Sequence, residues 1–446
     1  MSTDHAPIVD VAGIGFGPSN LALAIAIEEH NVTAAAGAKV SARFFEKKSD
    51  FGWHSDMLLP GTTMQVSFLK DLATQRNARS AYTFLNYLAE RDRLVHFINR
   101  QDFFPLRAEF HDYLAWAARR VDVPVTYGDE VTNVRWSGDH FEVSSTEHGV
   151  VRARHIVLGG GLRAKLPAGV TAGQRVFHNH QMLARFADVP AHRNKRYAVI
   201  GAGQSAAEVA AYLHTETDAD VHAVFAKYGY TPADDSPYAN RIFDPDAVDE
   251  YFSADEAWRE RLLQYHRSTN YSAVDPALIE DLYRREYTER VDGKRRLFVH
   301  GASELLELSE TDDSARLRIV NRLTGAEHSL DCDAVVFATG FEPTPLADML
   351  GELARECHED RHGRPVLDRM YRVRTADDIT GRIFVQGNSE HTHGLTSTLL
   401  SNVAVRSGEI VRAVVDDRDR VGATVGSGGG PDGQQAVGAL NGEGLR

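Results

Sequence analysis

Two glycine-rich turns, beginning at Gly13 and at Gly201, constrain the fold of this chain more than any other feature. Each turn follows a short apolar run, at residues 8–12 and 197–200, and each precedes a helical pattern. Strands that alternate with helices form parallel sheets, and a glycine turn between strand and helix marks the start of a nucleotide-binding unit. The sequence therefore predicts an α/β fold with two dinucleotide-binding, Rossmann-like domains.

The spacing of the glycines follows the G-x-G-x-x-G pattern. In such a turn glycines allow a tight bend, and a pyrophosphate contacts backbone N–H groups at the start of the helix. The first copy has proline at the third glycine position, and proline is favourable in a first helical turn. The residues predicted to contact dinucleotides in the two turns are Gly13, Gly15, Gly17, Pro18, Gly201 and Gly203.

The residues after the next strand of each unit predict two different cofactors. Glu46 ends the strand that follows the first turn, where a carboxylate binds a ribose 2′-OH, so the first unit is predicted to bind FAD. After the second turn the corresponding strand ends at Phe225 without an acidic residue, and Lys227 follows. A cation there suits a 2′-phosphate and predicts NADPH. The alternative is that Lys227 is a solvated surface lysine.

Two further segments fit a flavoprotein. Residues 334–343 resemble the "ATG" linker of two-dinucleotide flavoproteins, although a strand followed by a turn at Gly340 would look the same. Hydroxyl residues at 396–401 precede an apolar helical run. The positive end of that helix can stabilise negative charge on a reduced flavin, and the alternative is an ordinary capped helix.

Composition excludes several classes of function. The 446 residues carry a formal net charge of −14, which argues against nucleic-acid binding and against an acidic membrane surface. The two cysteines, Cys332 and Cys357, form no CxxC pair, so a disulfide framework, a structural zinc site and a dithiol redox centre are not expected. His391 and His393 have no accompanying ligand cluster, so no metal is predicted.

The start of the chain shows no secretion or membrane signal. No Lys or Arg precedes Lys39, and the longest early apolar run, at residues 21–27, is too short to span a bilayer. We expect a soluble, cytoplasmic protein. No nucleophile elbow or catalytic cysteine is visible, which fits a cofactor that carries out the chemistry.

The same patterns suggest a division into domains. The predicted FAD domain comprises residues 1–170 and 335–421, the NADPH domain 171–225 and 280–334, a substrate-binding insert 226–279, and a disordered glycine-rich tail 422–446.

Five further motifs resemble the microbial L-ornithine N5-monooxygenases, whose sister enzymes are the lysine N6-monooxygenases. The similarity extends over roughly residues 6–415, and its motifs are 64–72 (MQVSFLKDL), 84–87 (FLNY), 234–237 (DDSP), 270–272 (NYS) and 397–401 (STLLS). The resemblance implies FAD in the first unit, NADPH in the second and L-ornithine in a cleft between them. It also implies that NADPH reduces FAD, that O₂ adds to give a C4a-hydroperoxyflavin, and that the side-chain amine takes up the distal oxygen. The product, N5-hydroxy-L-ornithine, serves siderophore or related peptide biosynthesis in that family.

The resemblance also implies roles for individual residues. Lys70 matches the lysine that binds the ornithine carboxylate, and Ser401 a serine near the flavin and the substrate amine. The asparagines that hold the amino acid and the nicotinamide ribose match Asn240 and Asn270, and Asn270 with Ser401 form the implied catalytic pair. The flavin neighbours match Trp53, His54, Met64 and Gln65, and the NADPH contacts match Gln204 and Ser205.

Alternatives remain for these assignments. Lys70 could be a surface cation, Asn240 a turn residue and Trp53 part of the core. Many members of the family have arginine where this chain has Ala226, which weakens the prediction of a strong NADPH preference. A lysine or diamine N-hydroxylase is the nearest alternative function, because one methylene changes binding by only about 1–3 kcal/mol. A non-catalytic flavin-fold binding protein is the alternative from another class. The resemblance further implies a homo-oligomer, often a tetramer.

Overall fold

The computed structural model describes residues 7–189, 195–269 and 271–426, and these form seventeen strands and twelve α-helices. The strands are β1 (Val9–Ile14), β2 (Ala42–Glu46), β3 (Val125–Tyr127), β4 (Val131–Trp136), β5 (Phe141–Ser145), β6 (Gly149–Leu158), β7 (Leu162–Ala164), β8 (Val176–His178), β9 (Arg196–Ile200), β10 (Asp220–Val224), β11 (Leu297–His300), β12 (Ser303–Glu310), β13 (Ala315–Asn321), β14 (Glu327–Cys332), β15 (Ala334–Phe337), β16 (Phe341–Pro343) and β17 (Arg382–Val385).

The helices are α1 (Pro18–Thr33), α2 (Phe84–Glu90), α3 (Leu94–Arg100), α4 (Arg107–Arg120), α5 (Met182–Asp188), α6 (Gln204–Glu216), α7 (Pro245–Ser253), α8 (Glu256–Tyr265), α9 (Pro276–Asp292), α10 (Leu346–Leu350), α11 (Glu390–His393) and α12 (Val403–Gly426). Short 3-10 turns include Ser55–Met57, Ala239–Phe243, Leu395–Thr398 and Leu400–Asn402.

The first sheet contains seven strands and begins with the first glycine turn. β1 lies between β2 and β6, β3 pairs with β2, and β17 pairs with β6, all in parallel. β5 and β4 extend the sheet in the antiparallel direction beyond the first half of β6. The chain therefore leaves this sheet after β6 and returns to it at β17.

The second sheet contains the strand that leads into the second glycine turn, β9, which lies between β10 and β15. Its five strands are all parallel, in the order β11-β10-β9-β15-β8. A three-stranded antiparallel sheet, β12-β13-β14, shares a hydrophobic core with it, and the small pair β7-β16 follows β6 and β15. Each large sheet contains the strand, turn and helix that the glycine patterns predict.

Helix α1 lies in the centre of the first unit. Gly17 is its N-cap and Pro18 its first residue. Residues 20–27 are all buried because α1 packs against α12 as well as against the sheet. A helix that is covered on all sides needs no polar face, which explains its continuous apolar sequence.

Three elements differ from the boundaries expected from sequence. β15 begins at Ala334 and pairs with β9, so the second sheet continues past residue 334. Helix α9 crosses the expected boundary between residues 279 and 280. Helix α12 continues to Gly426, since extending a formed helix costs far less than starting one, and residues 427–446 of the predicted tail lie outside the described residues.

Among the described residues, no helix combines the length and the apolar character that crossing a membrane requires.

Candidate active site

The first glycine turn has the shape that a pyrophosphate requires. Gly15 has φ of +82°, and a Cβ there would lie 2.6 Å from the carbonyl oxygen of Gly159. A Cβ on Gly13 would lie 2.1 Å from the ring of Phe44. Around Gly17, by contrast, nothing lies within 4 Å of the Cβ position, and no side chain caps α1. The first N–H groups of α1 are therefore accessible to an anionic ligand.

Glu46 is held against this turn. Its Oε2 accepts a hydrogen bond from the backbone N–H of Phe16 (2.8 Å), and its Oε1 accepts one from the N–H of Lys48 (3.0 Å). Each carboxylate oxygen has a further lone pair, so the group can also accept bonds from ribose hydroxyls. The structure thus places Glu46 where the sequence predicted it and shows that it also supports the turn.

Unpartnered polar atoms lie in segment 389–407, which we call the C-terminal wall and whose Arg406 donates to Ser19 Oγ in the first turn of α1 (3.4 Å). Ser389, Ser397, Asn402 and Ser407 are buried, and their side chains include atoms without a hydrogen-bond partner. Buried polar groups in folded proteins are nearly always bonded, so such a group of atoms indicates a missing polar ligand. This observation fits FAD, whose ribityl and pyrimidine groups carry many donors and acceptors.

The second glycine turn is built differently. Gly201 has φ of +147°, and a Cβ there would lie 2.4 Å from the carbonyl oxygen of Ala338, in the segment after β15. The backbone of Ser272 lies 3.5 Å from the Cβ position of Gly203. The first turn of α6 lacks a side-chain cap, which leaves its N–H groups accessible to a second dinucleotide.

Lys227 lies just beyond the end of β10, as predicted, and its ammonium group is already bonded. Nζ donates to Thr231 Oγ1 (2.7 Å) and to the carbonyl oxygen of Ser272 (2.6 Å), and burial lowers the pKa of Lys227. A 2′-phosphate would have to draw the ammonium away from these two neutral acceptors.

The amide of Gln204 is also used within the protein. Its Oε1 accepts from the N–H of Asp275 (2.8 Å), and its Nε2 donates to Glu208 (3.0 Å). Ser205 follows in the first turn of α6. Gln204 therefore connects the start of α6 to the start of α9, and its bonds favour a positioning role beside any contact with NADPH.

Lys70 is a half-buried cation without an ion pair in the described part of the chain. Its Nζ lies 5.6 Å from the ring centroid of Phe243, at the end of the 3-10 turn that carries Asn240. Burial lowers the pKa of Lys70, and the charge of Asp244 partly opposes that effect. A half-buried ammonium without a carboxylate partner is well suited to an anionic ligand group.

Two short turns near the predicted substrate residues Asn240 and Ser401 pack against each other. The turn Ala239–Phe243 packs against Leu395–Thr398, which leads into the turn that contains buried Ser401. Asn240 behaves as a turn residue here, because its Nδ2 donates to the carbonyl oxygen of Asp235 (2.7 Å), while its Oδ1 has a free lone pair. Asn270 lies outside the described residues.

The four residues predicted to neighbour the flavin lie in the segment between β2 and α2. Trp53 is half-buried and packs edge-on against His54, with ring centroids 4.8 Å apart, and against Phe110 at 6.2 Å. Met64 is buried, whereas Gln65 is exposed.

His54 has a left-handed backbone, φ 49°, and a solvent-accessible side chain. Desolvation, together with the charges of Arg107 and Lys48, lowers the pKa of His54 to about 4. The imidazole also packs edge-on against Phe341, with ring centroids 6.2 Å apart.

A buried ion pair that sequence reasoning did not find joins the two units. Arg107 of α4 donates from Nη1 and Nη2 to Glu208 of α6 (2.8 and 2.7 Å), and also to the carbonyl oxygens of Met57 and Thr63. Since Glu208 also holds Gln204, the pair fixes the second glycine turn relative to the first unit. Neither residue stands in a motif, so only the three-dimensional structure reveals the pair.

The histidines near the C-terminus have structural partners. His391 Nε2 contacts the carbonyl oxygen of Pro365 (2.8 Å), and His393 stacks on Tyr371 at 4.2 Å between ring centroids. Within the described residues, the one group with metal-ligand spacing is Glu256, Glu260 and His362. Glu256 is ion-paired with Arg361 and Arg364, so this acidic surface group is already neutralised by cations.

Two sheets with parallel strands around an uncapped glycine turn, together with the half-buried cation Lys70, are typical of an oxidoreductase of the two-dinucleotide flavoprotein class. A family profile described as L-lysine 6-monooxygenase/L-ornithine 5-monooxygenase matches residues 7–343. The chain belongs to this family.

Individual relatives agree with this assignment. The L-ornithine N(5)-oxygenase of Arthrobotrys oligospora is 38% identical over 436 residues, which cover 91% of this chain and 88% of the relative. The ornithine N-hydroxylase of Kutzneria sp. 744, solved with reduced FAD, NADP⁺ and L-ornithine, superposes with a TM-score of 0.88 at 44% identity, over 92% of this chain and 100% of that one. The L-lysine 6-monooxygenase of Pseudomonas syringae gives 0.80 at 31% identity, over 92% and 99%. The predicted fold class and family are confirmed.

Proposed function

We propose that this protein hydroxylates the side-chain amine of L-ornithine with NADPH and O₂, giving N5-hydroxy-L-ornithine, NADP⁺ and water. The observation that carries the proposal is the half-buried Lys70, which has no ion pair among the described residues and lies next to the turn that contains Asn240. Bound FAD would supply the redox chemistry between NADPH and O₂. The remaining chemistry consists of binding and orienting the amine and excluding water.

The residues that hold the cofactors follow from the two turns. Gly13, Gly15, Gly17, Pro18 and Glu46 would bind the adenosine and pyrophosphate of FAD, supported by the accessible N–H groups of α1 and the open space at Gly17. Trp53, His54, Met64 and Gln65 would surround the flavin. Gly201, Gly203, Gln204, Ser205 and Lys227 would hold NADPH at the start of α6 and the end of β10.

The substrate would be fixed at both ends. Lys70 would pair with the carboxylate, and Asn240 and Asn270 would hold the amino-acid group and the nicotinamide ribose. The reacting amine must be neutral, whereas alkylamines have pKa values of about 10 in water. Burial at Ser401, which is 2% exposed, favours the neutral amine, and its hydroxyl can hydrogen-bond it.

NADPH oxidation and hydroxylamine formation, measured side by side with L-ornithine, L-lysine and putrescine, test the proposal. We expect hydroxylamine in stoichiometric relation to NADPH with ornithine, and weaker or uncoupled turnover with the other two amines. Preferred hydroxylation of lysine or putrescine would assign the sister activity instead. A protein that carries no flavin, or a flavin that NADPH does not reduce, would refute the proposal.

We further propose that the product supplies siderophore or related peptide biosynthesis, and that the enzyme acts in the cytoplasm, where NADPH is available.

We also propose that the protein forms a homo-oligomer, which an exposed apolar stripe on α9 supports. Tyr283, Tyr287 and Val291 stand at i, i+4 and i+8 and are 71%, 61% and 69% exposed. Light scattering of the purified protein tests the oligomer.

A further inference from the structure

Arg406 is a buried cation in helix α12. Its side chain is 2% exposed and lies on the buried stripe formed with Val403 and Ile410. The guanidinium makes three hydrogen bonds: Nε donates to Gln386 Oε1 (3.0 Å), Nη1 to the carbonyl oxygen of Ser397 (2.7 Å) and Nη2 to Ser19 Oγ (3.4 Å). All three acceptors are uncharged.

Within the described residues no carboxylate lies within ion-pair distance of Arg406. The nearest negative group on its own helix, Glu409, already accepts from Arg369 (2.8 Å) and from the hydroxyl of Tyr371 (3.1 Å). Burial lowers the pKa of Arg406, and the neighbouring Tyr371 and Glu409 partly oppose this effect. An arginine stays charged in a protein, and a buried charge without a counter-charge is strongly unfavourable, so this guanidinium needs an anion.

The hydrogen bonds of Arg406 converge on the first glycine turn. Ser19, which it contacts, is the second residue of α1, directly after Pro18. Gln386, its second partner, donates to the carbonyl oxygen of Ser19 (2.9 Å). Asn20 in turn donates to the carbonyl oxygen of Gly15 (2.7 Å). One polar network therefore joins the guanidinium to the glycine turn and to the start of α1, whose first N–H groups have no side-chain cap.

We propose that Arg406 is a positioning residue for FAD and supplies the buried positive charge that the pyrophosphate neutralises. The positive charge of Arg406 acts on the pyrophosphate through Ser19 and the first turn of α1. Its bond to Ser397 fixes the C-terminal wall of the flavin site to that turn. The inference rests on the proposed function only in taking FAD as the cofactor of the first unit.

The test compares Arg406→Gln, Arg406→Lys and the matched control Arg412→Gln, which removes an exposed arginine from the same helix. Each full-length protein is stripped of flavin, and FAD is added back while flavin fluorescence gives Kd and thermal melts give Tm with and without FAD. We expect Arg406→Gln to raise the Kd for FAD roughly 10- to 100-fold, which corresponds to about 1.4–2.8 kcal/mol at 1.4 kcal/mol for each factor of ten. Arg406→Lys keeps the charge and should stay within about fivefold of wild type. Arg412→Gln should bind FAD as wild type does.

The rise in Tm caused by FAD distinguishes an effect of the Arg406 charge on FAD binding from a purely structural role of this side chain. Arg406→Gln should reduce this FAD-induced rise, whereas loss of packing alone would lower both melting points equally and leave the rise unchanged. An unchanged rise, or a Kd within about threefold of wild type, would overturn the inference. If Arg406→Gln does not fold, Arg406→Lys decides alone, because more than about tenfold weaker binding would contradict the role of the charge. A wild-type protein that binds no FAD would refute the proposed function itself.

Discussion

Replacement of Lys70 by alanine tests the substrate site most directly. The ammonium is half-buried, has no ion pair in the described structure and lies 5.6 Å from the ring centroid of Phe243. A charge-assisted bond to a substrate carboxylate contributes about 1.5–3 kcal/mol, and each 1.4 kcal/mol corresponds to a factor of ten. We therefore expect Lys70→Ala to raise the KM for ornithine roughly 10- to 150-fold.

The assay measures hydroxylamine formation against ornithine concentration, together with flavin content and NADPH oxidation without substrate. Because Lys70 is assigned to the carboxylate alone, the last two quantities should not change. Putrescine has no carboxylate, so the KM for putrescine should change little in the variant. The preference of the enzyme for ornithine over putrescine should therefore be largely lost. Lys47→Ala is the matched control, because Lys47 is exposed and its ion pair with Glu130 is long, at 4.0 Å between Nζ and Oε1.

Two results would refute this reasoning. An unchanged KM for ornithine would show that the carboxylate binds elsewhere. An equal loss with ornithine and putrescine would show that Lys70 acts on the shape of the pocket and not on the carboxylate.

Three further predictions concern the second unit and its junction with the first. Lys227→Ala should raise the KM for NADPH more than that for NADH, and equal effects in steady-state kinetics would count against a 2′-phosphate contact. Glu208→Gln should lower the free energy of unfolding by about 3 kcal/mol in urea titrations, because it leaves Arg107 buried without its carboxylate, and a change below about 0.5 kcal/mol would contradict this. His222 and His300 contact each other at 2.9 Å, and burial lowers their pKa values to about 3 and about 4. The unfolded chain therefore binds more protons below about pH 6.5, so the free energy of unfolding should fall from pH 7 to pH 4.5, and an equally steep fall in His222→Leu would exclude this origin.

The fold follows from sequence because its signals are local. A glycine at φ +82° between a strand and a helix, as at Gly15, leaves a pattern that is visible in a few residues. The same locality explains why Glu46 and Lys227 could be placed at the ends of their strands. What Lys227 and Gln204 bind within the protein depends on Ser272 and Asp275, which belong to other parts of the chain, and no local pattern carries that information.

Arg406 and the pair Arg107–Glu208 show most clearly what local sequence patterns do not predict. Arg406 did leave a signal, a charged residue on the apolar stripe of α12, but the stripe alone does not say which anion compensates it. Arg107 and Glu208 lie in separate helices about a hundred positions apart, and their charges are ordinary in any helix. Their importance appears only when folding buries both side chains.

The return of the chain to its first sheet has a consequence for how the enzyme is made. Strand β17 pairs with β6, yet the ribosome synthesises it more than two hundred residues later, and Gln386, Ser401 and Arg406 follow it still. The strands of the second sheet, by contrast, are complete once Phe337 has been synthesised. During translation all strands of the second sheet are therefore available before the first sheet can be completed. A chain interrupted between Phe337 and β17 would contain every strand of the second sheet but would lack β17 of the first sheet, together with Gln386, Ser401 and Arg406.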